Sequence, residues 1–407
     1  MLNHAWRGRA RRLATVLLTV VLTACTTPPV RDTARAPSCP PCAACPACPG
    51  VKPPVPQVPT LAPASFADLP GWTTDNVAQA WTAFSASCRA MRFQPPWQAV
   101  CDEAAKIADP PEAAARQFFE TNFVPYRVAN GDGTTQGLVT GYYEPLLRGS
   151  RSKTSPFLYP LYAPPDDLLV IDLTAVNPDL KNMRLRGRLD GRRVVPYFSR
   201  AEIDGGVAPV AGKEIVWVDD PIEAFFLQVQ GSGRVKLENG DLLRVGYADQ
   251  NGHPYQSIGR WLVDKGELSL PEASMQGIQK WARSNPQRLS ELLNQNPSYV
   301  FFRELPSAEG GPPGAQGVPL TPERSIAVDA RFVPLGAPVW LATTRPNSSV
   351  PLERLVVAQD TGGAIRGAVR ADFFWGFGPD AGREAGRMRQ QGRMWVLLPK
   401  AYAVPTK

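Results

Sequence analysis

The chain has 407 residues and a formal charge of +7, but residues 1–24 carry four arginines and no acid, leaving +3 for the rest. No basic run survives in that remainder, which excludes the clustered positive face that nucleic-acid binding requires. Of two histidines, His4 belongs to the leader, so a zinc site built on several histidines is excluded and a Ser-His-Asp triad would have only His253.

The leader reads as an export signal. Arg7, Arg9, Arg11 and Arg12 precede an apolar run from Leu13 to Leu22. That run is about half of the ~20 residues needed to span a bilayer. Leu22-Thr23-Ala24-Cys25 resembles the lipobox of bacterial lipoproteins, in which Cys25 becomes the diacylated first residue, and two acyl chains give stable anchoring. Thr26 after it, rather than Asp, implies the outer membrane, facing the periplasm. An ordinary secretory signal that contains a cysteine is the alternative.

Residues 25–64 read as a tether, with twelve prolines after Cys25 and few large apolar side chains to bury. Cys39, Cys42, Cys45 and Cys48 repeat at C-x2-C spacing, a zinc cue in reducing compartments. In an exported, Pro-punctuated segment without a nearby His, local disulfides or variable oxidation are the stronger expectation. No metal is assigned. The globular part begins near Ser65. Helices are expected over Asp75–Met91, Trp97–Ile107 and Pro111–Asn122, with Cys88 and Cys101 bridging the first two.

Strand patterns follow. Gly137–Tyr143 alternates, and further runs are expected at Glu214–Val218, Ala224–Gln230, Arg234–Leu237 and Leu242–Tyr247, with a hairpin at Glu238-Asn239-Gly240-Asp241. Gln256–Gly266 and Pro271–Asn294 return to helical spacing. Short strands close the chain at Ser325–Val328, Pro338–Ala342, Leu355–Ala358, Ala368–Phe374 and Met394–Leu398. Short strands with Gly/Pro corners and no βαβ alternation predict a mainly β fold of barrels with peripheral helices.

The chemistry concentrates in QDTGGAIRGAVRADFFWGFGPDAG. Asp360 ends a strand ahead of Gly362 and Gly363, and Asp372 lies among Phe373, Phe374, Trp375 and Phe377. Apolar surroundings disfavour the charged form of a carboxyl, so Asp372 is the candidate general acid. Strand alternation puts Phe374 on its face and Phe373 and Trp375 opposite. Asp360-Thr361-Gly362 also spells an aspartic-protease triplet, but such enzymes need two, and the sequence has one. Gly231-Ser232-Gly233 leads into a strand-like run, so it is no phosphate-binding loop.

Asp329 in SIAVDARFVPLG, Asp360 in VVAQDTGGAIRG and Asp372 in VRADFFWGFG together resemble a module named for its three aspartates. VTGYYEP and FFLQVQGSGRVKLENGDLLRVGYADQNGHPYQSIGR are similar to the membrane-bound lytic murein transglycosylase A family, over roughly residues 66–400. The resemblance implies a double-psi β-barrel from residues 65–145 and 262–407, a second β-barrel inserted at 146–261, and a glycan groove between them. It implies cleavage of the β-1,4 bond between N-acetylmuramic acid and N-acetylglucosamine in peptidoglycan, with a 1,6-anhydro ring formed. No cofactor is required, and cell-wall synthesis or division proteins are implied as further partners.

In that reading Asp372 is the catalytic acid and Asp360 and Asp329 support it. Asp360 suits a strand-end turn equally well, and Asp329 suits a turn cap better. Tyr142, Tyr143, Gln230, Ser232 and Tyr247 are the expected sugar contacts, each of which also suits core or hinge packing. A different class of function fits the same signal and tether: a non-catalytic peptidoglycan-binding lipoprotein that links outer membrane to wall.

Overall fold

The computed structural model describes residues 61–403 except 179, 181, 182, 184 and 307–309. Cys25, the four cysteines of the C-x2-C cluster and the leader lie outside the described residues. No helix among the described residues is long and apolar enough to cross a membrane.

The globular chain opens with strand β1 (Leu61–Pro63), helices α1 (Trp81–Met91), α2 (Pro95–Ala104) and α3 (Glu112–Asn122), then β2 (Phe123–Val128) and β3 (Gly137–Glu144). A middle section follows with β4 (Leu146–Ser150), β5 (Tyr159–Tyr162), β6 (Leu169–Val170), β7 (Arg186–Asp190), β8 (Arg193–Pro196), α4 (Arg200–Asp204), β9 (Glu214–Val218), α5 (Pro221–Gln230), β10 (Ser232–Leu237) and β11 (Leu242–Gln250). Helices α6 (Ile258–Asp264), α7 (Met275–Ser284) and α8 (Leu289–Leu293) lead to β12 (Val300–Leu305). The C-terminal part carries β13 (Ser325–Val328), β14 (Pro338–Thr344), β15 (Pro351–Asp360), β16 (Ala371–Phe377), α9 (Gly378–Ala385) and β17 (Arg389–Pro399).

Two strands from opposite ends of this chain close a barrel. β17 pairs with β14 on one side and β3 on the other, and the ring runs β3-β17-β14-β15-β13-β16 back to β3. The β3–β16 and β13–β15 pairings are parallel and the rest antiparallel. Closure leaves no edge within the ring. This is the expected double-psi β-barrel, filled by Phe373, Val339, Val356 and Val396, while Trp340 on the other face packs against Trp72. Helices α1–α3 pack Phe84, Phe118 and Phe119 onto the same core. A Cys88–Cys101 disulfide with Cα atoms 5.1 Å apart joins α1 to α2.

Between the barrel segments lies a second, six-stranded sheet, ordered β12-β11-β10-β4-β9-β5, with its own core of Leu161, Val216, Val218, Val235 and Phe302. The expected hairpin joins β10 and β11, with Gly240 at φ +89°. β12 pairs with β11, so Val300–Leu305 belongs to this sheet, although a division at residue 262 assigns it to the barrel.

Three sequence expectations need correction. Ala224–Gln230 is not a strand but the body of α5, where Asp220 caps the first turn, Pro221 starts the helix and Gly231 ends it at φ +83°. Its residues Ala224 to Gln228 are all buried, which erases the helical period and makes the run look like an inner strand. Pro271–Asn294 is not helical throughout: α7 starts only at Met275, and the chain is interrupted at Asn285-Pro286 before α8, because Pro lacks the N–H that a continuous helix needs. Finally, Leu61–Pro63, assigned to the tether, pairs with β2, and Pro63 is accommodated at the strand's end.

Candidate active site

Parallel pairing of β3 with β16 sets the site. The register places Thr140 beside Asp372 and Tyr142 beside Phe374. Alternation then sends Asp372 and Phe374 to one face, while Phe373 and Trp375 turn into the barrel with ring centroids 5.0 Å apart.

The Asp372 carboxyl is held from one side only by what is described around it. Thr140 Oγ1 donates to Asp372 Oδ1 at 2.5 Å, and Arg370 Nη2 donates to Thr140 Oγ1 at 2.8 Å. A guanidinium has no acceptor, so the Thr140 oxygen accepts from Arg370 and its own hydrogen points to Asp372. Oδ1 is thereby committed as an acceptor, which leaves Oδ2 to carry the proton of the acid form. Burial raises the Asp372 pKa above the usual carboxylate range, and the Arg370 charge and the Thr140 hydrogen bond oppose that rise only in part. The residue is only partly buried and lines the cleft, so it still meets solvent there.

Asp360 ends β15 under tighter control. Its Oδ1 accepts the backbone N–H groups of Ala315 and Thr361 at 2.8 and 2.9 Å, and its Oδ2 accepts the Tyr142 hydroxyl at 3.1 Å. Burial pushes its pKa up to about 6 against those three donors, and the nearby Asp372 carboxyl adds to the rise. Tyr142 is itself pushed well above its usual range, first by burial and then by Asp360 and Asp372, so it remains a donor. Its ring packs on Phe374 with centroids 5.2 Å apart.

These groups form one wall of a cleft of about 590 Å³. The barrel contributes Tyr142, Asp360 and Asp372, the loop before β13 contributes Pro313, Gly314, Ala315 and Gly317, and the second sheet with the end of α5 contributes Gln230, Ser232, Tyr247 and Arg303. Six of the residues singled out in the sequence therefore meet in one place: Asp372, Asp360, Tyr142, Gln230, Ser232 and Tyr247.

Two others do not line this cleft. Tyr143 follows Tyr142 on the strand and so faces the other way, into a separate cleft of about 510 Å³ beside Glu223 and Met275. Its backbone N–H donates to Gln230 Oε1 at 3.0 Å, which ties β3 to the end of α5. Asp329 caps a turn: Arg331 grips it through Nε at 2.9 Å and Nη2 at 2.6 Å, and the Gly367 N–H donates to it at 2.9 Å. Burial alone would raise the Asp329 pKa, but these hydrogen bonds outweigh it and hold the group below its ordinary value. His253 lies away from the cleft, with Nε2 2.7 Å from the Tyr197 carbonyl.

Sequence reasoning missed Thr140, Arg370 and the Ala315 amide. Thr140 sits two residues from Tyr142 on an alternating strand, which put it on the same face. No local signal linked it to Asp372, 232 positions away.

Comparison with known proteins places this geometry. Residues 138–303 match the family model described as the MltA specific insert domain, and residues 324–398 match the 3D domain. A solved structure of MltA from Neisseria gonorrhoeae is 41% identical, covering 84% of this chain and 93% of that one, with a TM-score of 0.73. The chain belongs to the membrane-bound lytic murein transglycosylase A family. The Escherichia coli K12 protein of that name is 36% identical over 267 residues, a match covering 63% of this chain and 64% of the relative. A structure described as E. coli MltA with bound chitohexaose is 26% identical, covering 84% of this chain and 95% of that one, with a TM-score of 0.63. Within the family's two matched segments, the first contains Thr140 and Tyr142 and the second contains all three aspartates.

Proposed function

We propose that this protein is a peptidoglycan lytic transglycosylase that cleaves the β-1,4 bond between N-acetylmuramic acid and N-acetylglucosamine and leaves a 1,6-anhydro ring. The observation that carries the reading is the Asp372 carboxyl: buried enough to stay protonated above the usual carboxylate range, yet lining an open cleft of about 590 Å³. The chitohexaose in the E. coli relative is a β-1,4-linked N-acetylglucosamine chain, which suits a cleft of this kind.

Asp372 gives its proton to the glycosidic oxygen as the bond to C1 breaks. The C6 hydroxyl of the same muramic acid residue attacks C1, and the Asp372 carboxylate takes the hydroxyl's proton. One residue thus serves both steps and ends as it began. An internal nucleophile has an effective molarity on the order of 10⁵–10⁸ M, so no second carboxyl is needed to activate water. Thr140 fixes the rotation of the acid, and Asp360 holds Tyr142 and the Ala315 loop in place beneath the sugar. Gln230, Ser232 and Tyr247 contact the glycan from the opposite wall. The barrel supplies the acid and the inserted sheet, with Val300–Leu305 counted to it, supplies that wall.

Cys25 carries the lipid anchor in this reading, and residues 26–60 let the catalytic unit reach the wall from the outer membrane. The test is digestion of purified wall in heavy-oxygen water, followed by mass spectrometry of the fragments. Anhydro ends without heavy oxygen are expected. Reducing ends that carry the label would show a hydrolase, and intact wall with bound protein would show a non-catalytic binder.

A further inference from the structure

Two guanidinium groups line the cleft, Arg186 from β7 of the small β6-β7-β8 sheet and Arg303 from β12 of the second sheet, and they differ in one respect. Arg186 Nε pairs with Asp249 Oδ1 at 2.8 Å, both side chains being largely covered, so its charge is answered within the protein. Arg303 is exposed to the cleft and its side chain has no ion pair or hydrogen bond among the described residues. Its strand neighbour Phe302 is buried in the sheet's core, so alternation on β12 turns Arg303 outward to the cleft. The cleft therefore sets one uncommitted cation across from Asp360 and Asp372.

A chitin-type glycan is neutral and offers such a cation no counter-charge. A wall glycan carries a lactyl branch on every second sugar, ending in a carboxylate of its own or in the carboxylates of a stem peptide. We propose that Arg303 is a specificity-determining residue that binds the carboxylate of this lactyl branch and so separates wall glycan from neutral β-1,4 glycans. The inference rests on the glycan-cleaving reading above and names the chemistry by which that site tells substrates apart. A guanidinium suits the role because its planar fork meets a carboxylate through two parallel hydrogen bonds. An exposed contact of this kind weakens with salt.

The test uses the Asp372→Asn protein, so that no ligand is consumed, and measures affinity by calorimetry. Three ligands are compared: wall glycan with stem peptides, the same glycan stripped of peptide, and chitohexaose. Adding Arg303→Ala is expected to weaken binding of carboxylate-bearing glycan about tenfold, the loss of one charge-assisted contact, and to leave chitohexaose unchanged. Arg303→Lys should recover part of the loss, and high salt should erase the difference. Loss on the peptide-bearing glycan alone assigns the stem peptide as the carboxylate's source, loss on the stripped glycan alone assigns the free lactyl carboxylate, and loss on both shows that Arg303 takes whichever carboxylate ends the branch. Equal loss on chitohexaose, or no loss on either wall glycan, overturns the proposal. Failure of the Asp372→Asn protein to bind any of the three would instead overturn the glycan-cleaving reading, and this inference with it.

Discussion

Thr140 and Asp372 stand side by side on two parallel strands, and the Thr140 hydroxyl donates to Asp372 Oδ1 at 2.5 Å. That hydroxyl stabilises the ionised form and so lowers the acid's pKa against the rise that burial causes. Thr140→Val keeps the shape and removes the donor. Two effects are expected: kcat falls about tenfold with KM nearly unchanged, because orientation and not glycan contact is lost. The alkaline limb of the kcat profile also moves to higher pH, since the Asp372 proton is then held more tightly. A pH–rate series on wall fragments checks both, and an unmoved limb would contradict the assignment.

Asp360 links pH to stability. Its carboxyl rises from 3.8 to about 6 on folding, chiefly through burial, a gap corresponding to about 3 kcal/mol. The folded state holds this proton more tightly than the unfolded chain. Its contribution is therefore fully present below the unfolded value and is lost as pH rises through about 6. Asp360→Asn can keep the two backbone hydrogen bonds on its carbonyl oxygen, and its amide can donate to the Tyr142 oxygen. Relative to wild type the variant should gain stability between about pH 4 and about pH 8, by up to about 3 kcal/mol. Urea unfolding at both values measures it, and a pH-independent difference would refute the burial account.

The Cys88–Cys101 disulfide closes a short loop, 13 residues in sequence separation, between helices that pack on the barrel. Cys88→Ala with Cys101→Ala should lower unfolding stability by about 3 kcal/mol while leaving the rate per folded molecule unchanged, since neither sulfur approaches the cleft. Denaturation and wall-digestion assays on the same preparation check the pair. A fall in kcat for the folded variant would show that α1 positions the site.

Much of this site was legible because its parts are local. The burst of aromatics around Asp372, the strand end at Asp360 and the Tyr142 motif each announce themselves within a few residues, and alternation alone placed Phe374 with Asp372. What was not legible depends on pairing across distance. The β3–β16 register, which gives Asp372 its Thr140 partner, joins segments separated by more than half of the chain. The same limit explains Tyr143: its chemistry suggested a sugar contact, but a neighbour on a strand must face the other way. Helix α5 was misread for a local reason, because a fully buried run loses its period and only Asp220, Pro221 and Gly231 mark it as a helix.

The most direct test removes the acid and keeps everything else. Asp372→Asn leaves a side chain of the same shape beside Thr140, so circular dichroism and wall binding should match wild type. The rate of anhydro-fragment release from purified wall should fall by about 10²–10⁴-fold, the usual worth of a positioned proton donor and acceptor. Release at the wild-type rate by a folded, wall-binding Asp372→Asn protein would contradict the account at its centre.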